Sequence, residues 1–187
     1  MFAICIAGMP GSGKSIVASA ALSIGIPVIT MGDVVRNEAK KRGLSINRQS
    51  LAYLAKKLRQ EKGPAAIAIA CIEMIRSRGY DKVLIDGLRS TFEYLEFRKY
   101  FDEIKLIYIH ASPGIRYKRL LTRGRPDDPK SWSEFVIRDL QEIRMGLPCL
   151  FYLANYVIVN ENKPMSDIFK EALLLIKKWL GYDKSNS

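Results

Sequence analysis

Cysteine, histidine and long apolar stretches are scarce in this chain of 187 residues. The three cysteines, Cys5, Cys71 and Cys149, lie far apart with no C-x-x-C pair, so neither a disulfide framework nor a zinc cluster is predicted. The longest apolar run, residues 65–72, is much shorter than the roughly 20 residues that span a bilayer, so no membrane partner is expected. A basic signal-peptide segment is also missing from the first residues. These absences favour a reducing, cytoplasmic setting.

Apolar and basic residues are plentiful instead. With 48% apolar residues, the chain can bury roughly 70% of its unfolded surface in one compact domain. That domain is predicted over residues 1–182, followed by a frayed tail at 183–187. The formal net charge of +11 favours anionic partners such as nucleotides, phosphate esters or nucleic acid, and by itself it does not choose among them.

Short apolar runs alternate with segments of helical period, the pattern of a parallel sheet covered on both faces by helices. Strands are predicted at residues 2–7, 27–30, 82–86, 104–111 and 156–160. Helices are predicted at residues 14–24, 34–42, around 51–58, 65–78, 91–100, 113–123, 133–144 and 166–180. Asp33 and Ser166 are expected to cap helices, and Gly43 is expected to end one. The three cysteines are expected in the core.

Residues 8–15, GMPGSGKS, match G-x-x-x-x-G-K-[S/T] directly after an apolar strand and directly before a helix. In this motif backbone N–H groups surround a polyphosphate at the positive end of the helix. Lys14 is expected to bridge the β- and γ-phosphates as a catalytic residue, and Ser15 to bind Mg²⁺. Asp86, at the end of a predicted strand, is the second predicted Mg²⁺ ligand, directly or through water. The predicted nucleotide-binding residues are Gly8, Met9, Pro10, Gly11, Ser12, Gly13, Lys14 and Ser15.

The bound base is predicted to be adenine. Guanine-specific proteins of this type carry Asn-Lys-x-Asp at a strand end, and the nearest segment, residues 162–165, reads NKPM without the Asp. ATP is therefore the expected nucleotide. The loop at 160–164 follows a predicted strand, which places Asn160 near the nucleotide.

A basic segment at residues 116–125 contains five Lys and Arg and no acid. Arg116, Arg119 and Arg123 share one helix face, where a bound anion would relieve their mutual repulsion. The Gly- and Pro-containing residues 123–129 are interpreted as a short lid that excludes water. Arg119, Arg123 and Arg125 are predicted to neutralise charge on a transferred phosphoryl group, and Arg119 is also predicted to contact the nucleotide. A merely solvated basic helix is the alternative.

Several segments resemble nucleotide kinases. Residues 30–36, TMGDVVR, resemble the acceptor-binding segment of adenylate kinases, where a Gly-Asp begins a helix and an Arg grips the acceptor phosphate. Residues 86–89, DGLR, are similar to their Asp-Gly-Phe-Pro-Arg segment shortened by one residue, and residues 119–125, RLLTRGR, resemble the start of their lid. Residues 154–160, ANYVIVN, and Arg138 are closer to dephospho-coenzyme A kinases. As a whole the chain resembles an archaeal family of adenylate-kinase-related P-loop proteins.

This resemblance implies a P-loop NTPase fold of three α/β/α layers, with five parallel strands in the order 2-3-1-4-5. It implies a helical acceptor-binding insertion at 32–78 and a lid at 116–145. The implied reaction is ATP- and Mg²⁺-dependent phosphoryl transfer to a nucleotide or nucleotide-like small molecule. Asp33, Arg36, Arg89 and Arg138 are then the expected acceptor-binding residues. Asp33 is the candidate base if the acceptor group is a hydroxyl, and it only orients groups or caps a helix if the acceptor is a phosphate.

Two other functions stay open at this point. The first is a nucleic-acid-associated ATPase or switch that docks through the +11 surface, although the sequence shows no RNA-reading aromatic motif. The second is a protein that binds nucleotide without turnover. His110, which follows a predicted strand, is expected to be structural.

Overall fold

The computed structural model describes residues 1–125 and 128–182, so the expected tail at 183–187 and two positions of the expected lid, Pro126 and Asp127, lie outside it. The strands are β1 (Phe2–Ala7), β2 (Val28–Thr30), β3 (Lys82–Leu88), β4 (Glu103–His110) and β5 (Tyr156–Val159). The helices are α1 (Lys14–Leu22), α2 (Met31–Lys41), α3 (Arg48–Lys62), α4 (Ala66–Ser77), α5 (Thr91–Tyr100), α6 (Pro113–Arg123), α7 (Trp132–Arg144), α8 (Cys149–Leu153) and α9 (Met165–Leu180). Each predicted strand is present, with ends that differ by at most two residues.

The five strands form one sheet in the order β2-β3-β1-β4-β5, and every pairing is parallel, which confirms the implied order. β1 lies at the centre between β3 and β4. The register between β1 and β3 shifts by one residue: Ile6 pairs with Asp86, but the next residue, Ala7, pairs with Leu88. Gly87, with a φ of 97°, takes up the extra residue as a bulge immediately after Asp86.

Alternate residues of β1 face two separate apolar layers. Ala3, Cys5 and Ala7 face a cluster that includes residues of α2, α3, α4 and α5, whereas Ile4 and Ile6 face a cluster built with α1 and α9. Each of these strand residues is completely buried. Full burial of an isoleucine side chain contributes about 1.5–3 kcal/mol, so both faces of the sheet depend on their helices. The predicted three-layer α/β/α arrangement is confirmed.

The start of α2 differs from the prediction. The helix begins at Met31, directly after β2, with Thr30 as its N-cap. Asp33 therefore lies inside the first turn, and the expectation that it caps the helix is wrong. The predicted end is confirmed, because Gly43 takes a φ of 64° beyond the last helical residue.

Two other local predictions are also wrong. α9 begins at Met165 after Pro164, so Ser166 lies within the helix and does not cap it. The short helix α8, which begins at Cys149, was not predicted from the sequence. Cys149 is exposed, so the expectation that it lies in the core is wrong. Cys5 and Cys71 are buried as expected. Within the two described ranges, no helix is both long and apolar enough to cross a bilayer.

Candidate active site

The candidate site lies where the carboxyl ends of β1, β2 and β3 meet. In the register of the sheet, Asp86 is the partner of both Ile6 and Thr30, so the segments that leave these strands start side by side. The loop after β1 enters α1, and Thr30 leads directly into α2. Ligands of open α/β sheets bind at this edge, and the topology therefore puts the glycine-rich loop next to the predicted acceptor-binding helix.

The loop after β1 requires glycine at defined positions. A Cβ on Gly8 would lie 2.4 Å from the Ile109 carbonyl oxygen, and a Cβ on Gly13 would lie 2.2 Å from Asn160 Nδ2. Both glycines also have positive φ angles, 150° and 101°. A side chain at Gly8 would displace the loop from the end of β4, and one at Gly13 would displace it from the residue that follows β5. Close packing therefore requires glycine at both positions, whether or not a phosphate is bound.

Asn160 and Arg119 support the loop from behind. Asn160 is 2% exposed and donates from Nδ2 to the Ser12 carbonyl oxygen at 2.8 Å. Arg119 donates from Nη2 to the Asn160 carbonyl and side-chain oxygens, both at 3.1 Å. The backbone N–H of Asn160 donates to the carbonyl oxygen of His110, whose side chain is half exposed. These two predicted nucleotide-contacting residues thus hold the loop in place, and their contact with a nucleotide stays a prediction.

Lys14 folds back over its own loop. Its Nζ donates to the carbonyl oxygens of Gly8 at 2.6 Å and Met9 at 3.3 Å. Burial lowers the Lys14 pKa from 10.5 to about 8, against the opposing effect of the Asp86 and Glu142 carboxylates. The negative charges of a triphosphate tail would stabilise the charged form of Lys14 and raise its pKa again.

Asp86 is suited to a Mg²⁺ ion at this position. Its Oδ1 is buried and has no hydrogen-bond partner among the described residues. Burial raises the Asp86 pKa and the nearby Asp33 carboxylate raises it further, while Lys14 and Arg89 lower it. A divalent cation would satisfy the orphaned oxygen and favour its charged form. Ser15, the other predicted ligand, is exposed at the start of α1. The described residues form no cluster of three His, Cys, Asp or Glu, so any bound Mg²⁺ must take further ligands from phosphate and water.

Buried polar atoms without partners concentrate around this edge of the sheet. In the described part of the chain they are Ser12 Oγ, Asp86 Oδ1, Arg119 Nη1 and Glu142 Oε2. Such atoms are uncommon in folded proteins because each forfeits its hydrogen bonds to water. All four belong to the loop, to residues that support it, or to residues whose charge acts on Lys14. Their concentration is the pattern expected where a polar ligand completes a site.

The predicted acceptor side carries paired charges. Arg36 Nη1 lies 2.5 Å from Asp33 Oδ1 within α2, and both side chains are about half exposed. Arg89 Nη1 lies 3.1 Å from Oε1 of the buried Glu142. Asp33 and Arg89 both act electrostatically on Asp86. The structure therefore gathers Asp33, Arg89 and Asp86 at one edge of the sheet, with Arg36 beside them on α2.

Asp128 organises the arginines of the expected lid. This carboxylate, 3% exposed, accepts from Arg123 Nε at 2.8 Å and from Arg138 Nη1 at 3.3 Å. It also accepts from the backbone N–H of Arg125, whose side chain is exposed. Although burial alone would raise the Asp128 pKa, the hydrogen bond from Arg123 holds it below the usual range. One acid thus gathers three of the predicted phosphate-binding arginines.

Arg116 does not belong to an unpaired basic face, and that expectation is wrong. It is buried, donates from Nη1 to Asp139 Oδ1 at 2.8 Å, and also donates to the Pro10 carbonyl oxygen at 3.2 Å. Its guanidinium group lies over the Phe135 ring. Arg116 therefore links α6, α7 and the glycine-rich loop, and no ligand is needed to relieve its charge.

Three acids of this region were not singled out from the sequence. Glu93, Asp139 and Glu142 each pair with an arginine from another element, in the pairs Arg59–Glu93, Arg116–Asp139 and Arg89–Glu142. The available signal was the i, i+3 spacing of Asp139 and Glu142 on a helix expected beside the basic segment. The sequence does not show which arginine each acid contacts.

Comparison with known proteins gives consistent relatives. A family model described as an AAA domain matches residues 7–135. A UPF0200 protein of Pyrococcus abyssi is 45% identical over 184 residues, covering 96% of this chain and 98% of its own length. A UPF0200 protein of Methanocaldococcus jannaschii is 41% identical over 191 residues, covering 98% of this chain and 96% of its own length.

Solved structures show the same fold at low sequence identity. Shikimate kinase from Aquifex aeolicus matches with a TM-score of 0.54 and 23% identity, covering 96% of this chain and 99% of that one. A gluconokinase from Sinorhizobium meliloti matches with a TM-score of 0.55 and 18% identity, covering 97% of both chains. The parallel sheet and its order are those of P-loop kinases. Together with the full-length relatives, these matches show that the chain belongs to the UPF0200 family of archaeal proteins and carries a kinase-like P-loop AAA domain.

Proposed function

We propose that this protein transfers the γ-phosphoryl group of ATP to a nucleotide or nucleotide-like small molecule. The observation that carries the proposal is the loop at 8–15, whose partly buried Lys14 lies within electrostatic reach of Asp86, with its orphaned carboxylate oxygen, and of Arg89 and Arg138 from two other elements. The kinase-type structural neighbours support the same class of reaction. In this reaction the bond between the γ-phosphorus and the β–γ bridging oxygen breaks, a bond to an acceptor oxygen forms, and ADP leaves.

In this proposal the residues of the chain position the phosphates of ATP and neutralise their charge. The N–H groups of the loop and the Lys14 ammonium hold the β- and γ-phosphates. Arg119, Arg123 and Arg125 neutralise charge on the transferred group, and closure of the lid segment over the site keeps water from replacing the acceptor. Asp86 and Ser15 would hold a Mg²⁺ ion, which when bound would further neutralise the phosphate oxygens.

Arg36, Arg89 and Arg138 are assigned to the acceptor. Asp33 orients the acceptor through its ion pair with Arg36 when the acceptor group is a phosphate, which is already an adequate nucleophile. With a hydroxyl acceptor, the displaced proton passes to Asp33. The phosphorylated position in the product distinguishes these two roles.

The test is ADP formation with a panel of acceptors. The panel contains the nucleoside monophosphates and dephospho-coenzyme A, with shikimate and gluconate added because of the structural neighbours. The proposal predicts turnover with at least one nucleotide-like acceptor. Lys14→Ala should lower that turnover by about 10²–10³-fold, as for loss of a comparable charge-stabilising group. Undiminished turnover in this variant, or no turnover with the whole panel, contradicts the proposal.

A nucleic-acid-associated ATPase is less well supported. Its docking surface would need free basic residues, but Arg116 and Arg123 of the densest basic segment are paired with Asp139 and Asp128. That alternative predicts binding of RNA or DNA that weakens steeply with salt, and ATP hydrolysis that nucleic acid stimulates. A filter-binding titration over a range of salt concentrations separates it from the kinase proposal.

A further inference from the structure

Two buried glutamates converge on Arg89, one of the expected acceptor-binding residues. Glu93 of α5 is completely buried, and its Oε2 accepts from the Arg89 backbone N–H at 3.0 Å. Glu142 of α7 has a side chain that is 8% exposed, and its Oε1 lies 3.1 Å from Arg89 Nη1. The first contact fixes the backbone of Arg89, and the second fixes the end of its side chain.

Glu93 extends this arrangement into the acceptor-binding insertion. Its other oxygen, Oε1, accepts from Arg59 Nη2 of α3 at 2.7 Å. A carboxylate is rarely buried without a compensating partner, and here the two oxygens are held by different elements. The Arg89 backbone is therefore anchored through Glu93 to α3, a helix of the insertion at 32–78 that the resemblance assigns to acceptor binding.

Glu142 connects Arg89 to the other half of the cleft. One turn earlier on α7, Asp139 pairs with Arg116, which in turn donates to the Pro10 carbonyl oxygen in the glycine-rich loop. The same helix thus contacts the nucleotide loop through Arg116 and the acceptor side through Arg89. The other oxygen of Glu142, Oε2, is buried and has no hydrogen-bond partner in the described chain. The buried carboxylate is therefore compensated through Oε1, by the ion pair with Arg89.

The side chain of Arg89 stays open to a ligand. It is 47% exposed, although its partner is buried. A guanidinium group presents several N–H donors in a rigid fork, and one contact with Glu142 leaves the others available for a phosphate or carboxylate. Because the contact with Glu142 already restrains the guanidinium group, less conformational entropy is lost when its remaining N–H donors bind an anion.

We propose that Glu142 is a positioning residue that aims Arg89 at the anionic group of the acceptor. The inference rests on the proposed function, because that function assigns Arg89 to the acceptor. It concerns a residue that neither the sequence motifs nor the family comparison identifies.

The sign of the effect separates positioning from simple electrostatics. Removing the negative charge of Glu142 would by electrostatics alone strengthen the binding of an anion at Arg89. Positioning predicts the opposite, because an unrestrained guanidinium must be ordered when the anion binds. E142Q removes the charge and keeps the length of the side chain, whereas E142D keeps the charge and shortens the reach.

The experiment measures orthophosphate binding by calorimetry, with the nucleotide loop saturated by the non-hydrolysable analogue AMP-PNP and Mg²⁺. E142Q and E142D are both expected to weaken orthophosphate binding by up to about tenfold, because the freed guanidinium group must then be ordered when the anion binds. E134Q, which removes an exposed charge from the same helix, is the matched control and should bind as the wild type does. Thermal unfolding of each variant verifies that it folds.

A second readout uses turnover with any acceptor found in the panel. The KM for that acceptor should rise in E142Q while the KM for ATP stays within about twofold, a split that a general loss of structure would not produce. Orthophosphate binding needs no turnover. If the panel yields no ADP while E142Q and E142D still weaken phosphate binding, the proposed function fails and the positioning role stands.

The proposal is overturned if E142Q tightens orthophosphate binding, if both variants leave it unchanged, or if the KM values for acceptor and ATP rise together. Should neither Glu142 variant fold, R89K tests the same geometry on an exposed side chain. It keeps the positive charge and loses the fork, so it should also weaken phosphate binding about tenfold. Wild-type affinity in R89K contradicts the inference.

Discussion

Lys14 should make nucleotide binding sensitive to pH near 8. Burial lowers the Lys14 pKa from 10.5 to about 8, which corresponds to a cost of roughly 3 kcal/mol for the charged form. A bound triphosphate places several negative charges beside the ammonium group and raises the pKa again. About half of the ligand-free molecules therefore carry neutral Lys14 at pH 8, and binding of MgATP takes up about half a proton there.

The affinity follows from the same values. Proton uptake should be small at pH 7 and approach about one proton at pH 9, and the apparent Kd for MgATP should rise with a limiting slope of about tenfold for each pH unit above 8. Calorimetric titration in two buffers of different ionisation enthalpy measures both quantities. The buried Cys5 and Cys71 do not interfere, because burial raises the pKa of each thiol far above this range.

Replacement of Lys14 provides the control. Lys14→Met should bind MgATP more weakly and lose the proton uptake between pH 7 and 9. The ligand-free protein gives an independent measurement, because the unfolded chain keeps the Lys14 proton up to pH 10.5 and the folded chain releases it near 8. The wild type should therefore gain stability relative to Lys14→Met as the pH rises from about 8 to 10.5. An affinity that is flat from pH 7 to 9, or equal proton uptake in Lys14→Met, refutes the argument.

Three further perturbations test the site. Gly13→Ala should abolish MgATP binding, as measured by calorimetry. Its free energy of unfolding in urea should be at least about 2 kcal/mol lower than that of Gly25→Ala, because both positions have positive φ but an added Cβ clashes only at Gly13. Asp139→Asn leaves the charge of Arg116 buried without its partner and should lower the free energy of unfolding, measured in urea, by about 3–5 kcal/mol. A loss below about 1 kcal/mol would contradict this role of the pair. Asp86→Asn should raise the Mg²⁺ concentration for half-maximal turnover by at least about tenfold, whereas an unchanged requirement would remove Asp86 from the metal site.

The fold was accessible from the sequence because its signals are local. Strands buried on both faces appear as uninterrupted apolar runs, and β1, the glycine-rich loop and α1 follow one another without a gap. The helix starts were less accessible. α2 begins at Met31 because β2 leads directly into it, and this tertiary arrangement overrides the capping preference of Asp33.

In the candidate site, too, residues with a local sequence signal were predictable and residues defined by tertiary contacts were not. Lys14 and Asp86 were predictable because a motif and a strand end identify them. Glu93 and Glu142 were not, because each is defined by an arginine 34 or 53 positions away, and nothing in their neighbourhoods distinguishes a buried acid from an exposed one. The expectation for Arg116 failed for the same reason, since Asp139 lies on another helix.

Under the proposed function, the position of β2 has a consequence for how the choice of acceptor can change. β2 has only three residues, lies at the edge of the sheet and pairs with β3 alone, yet it leads directly into the helix that carries Asp33 and Arg36. The glycine-rich loop instead follows β1, which has a neighbouring strand on each side. Substitutions around β2 should therefore disturb the helix that carries Asp33 and Arg36 more than they disturb the glycine-rich loop. If that helix contacts the acceptor as proposed, exchange of this segment between relatives should change the accepted molecule and leave nucleotide binding in place.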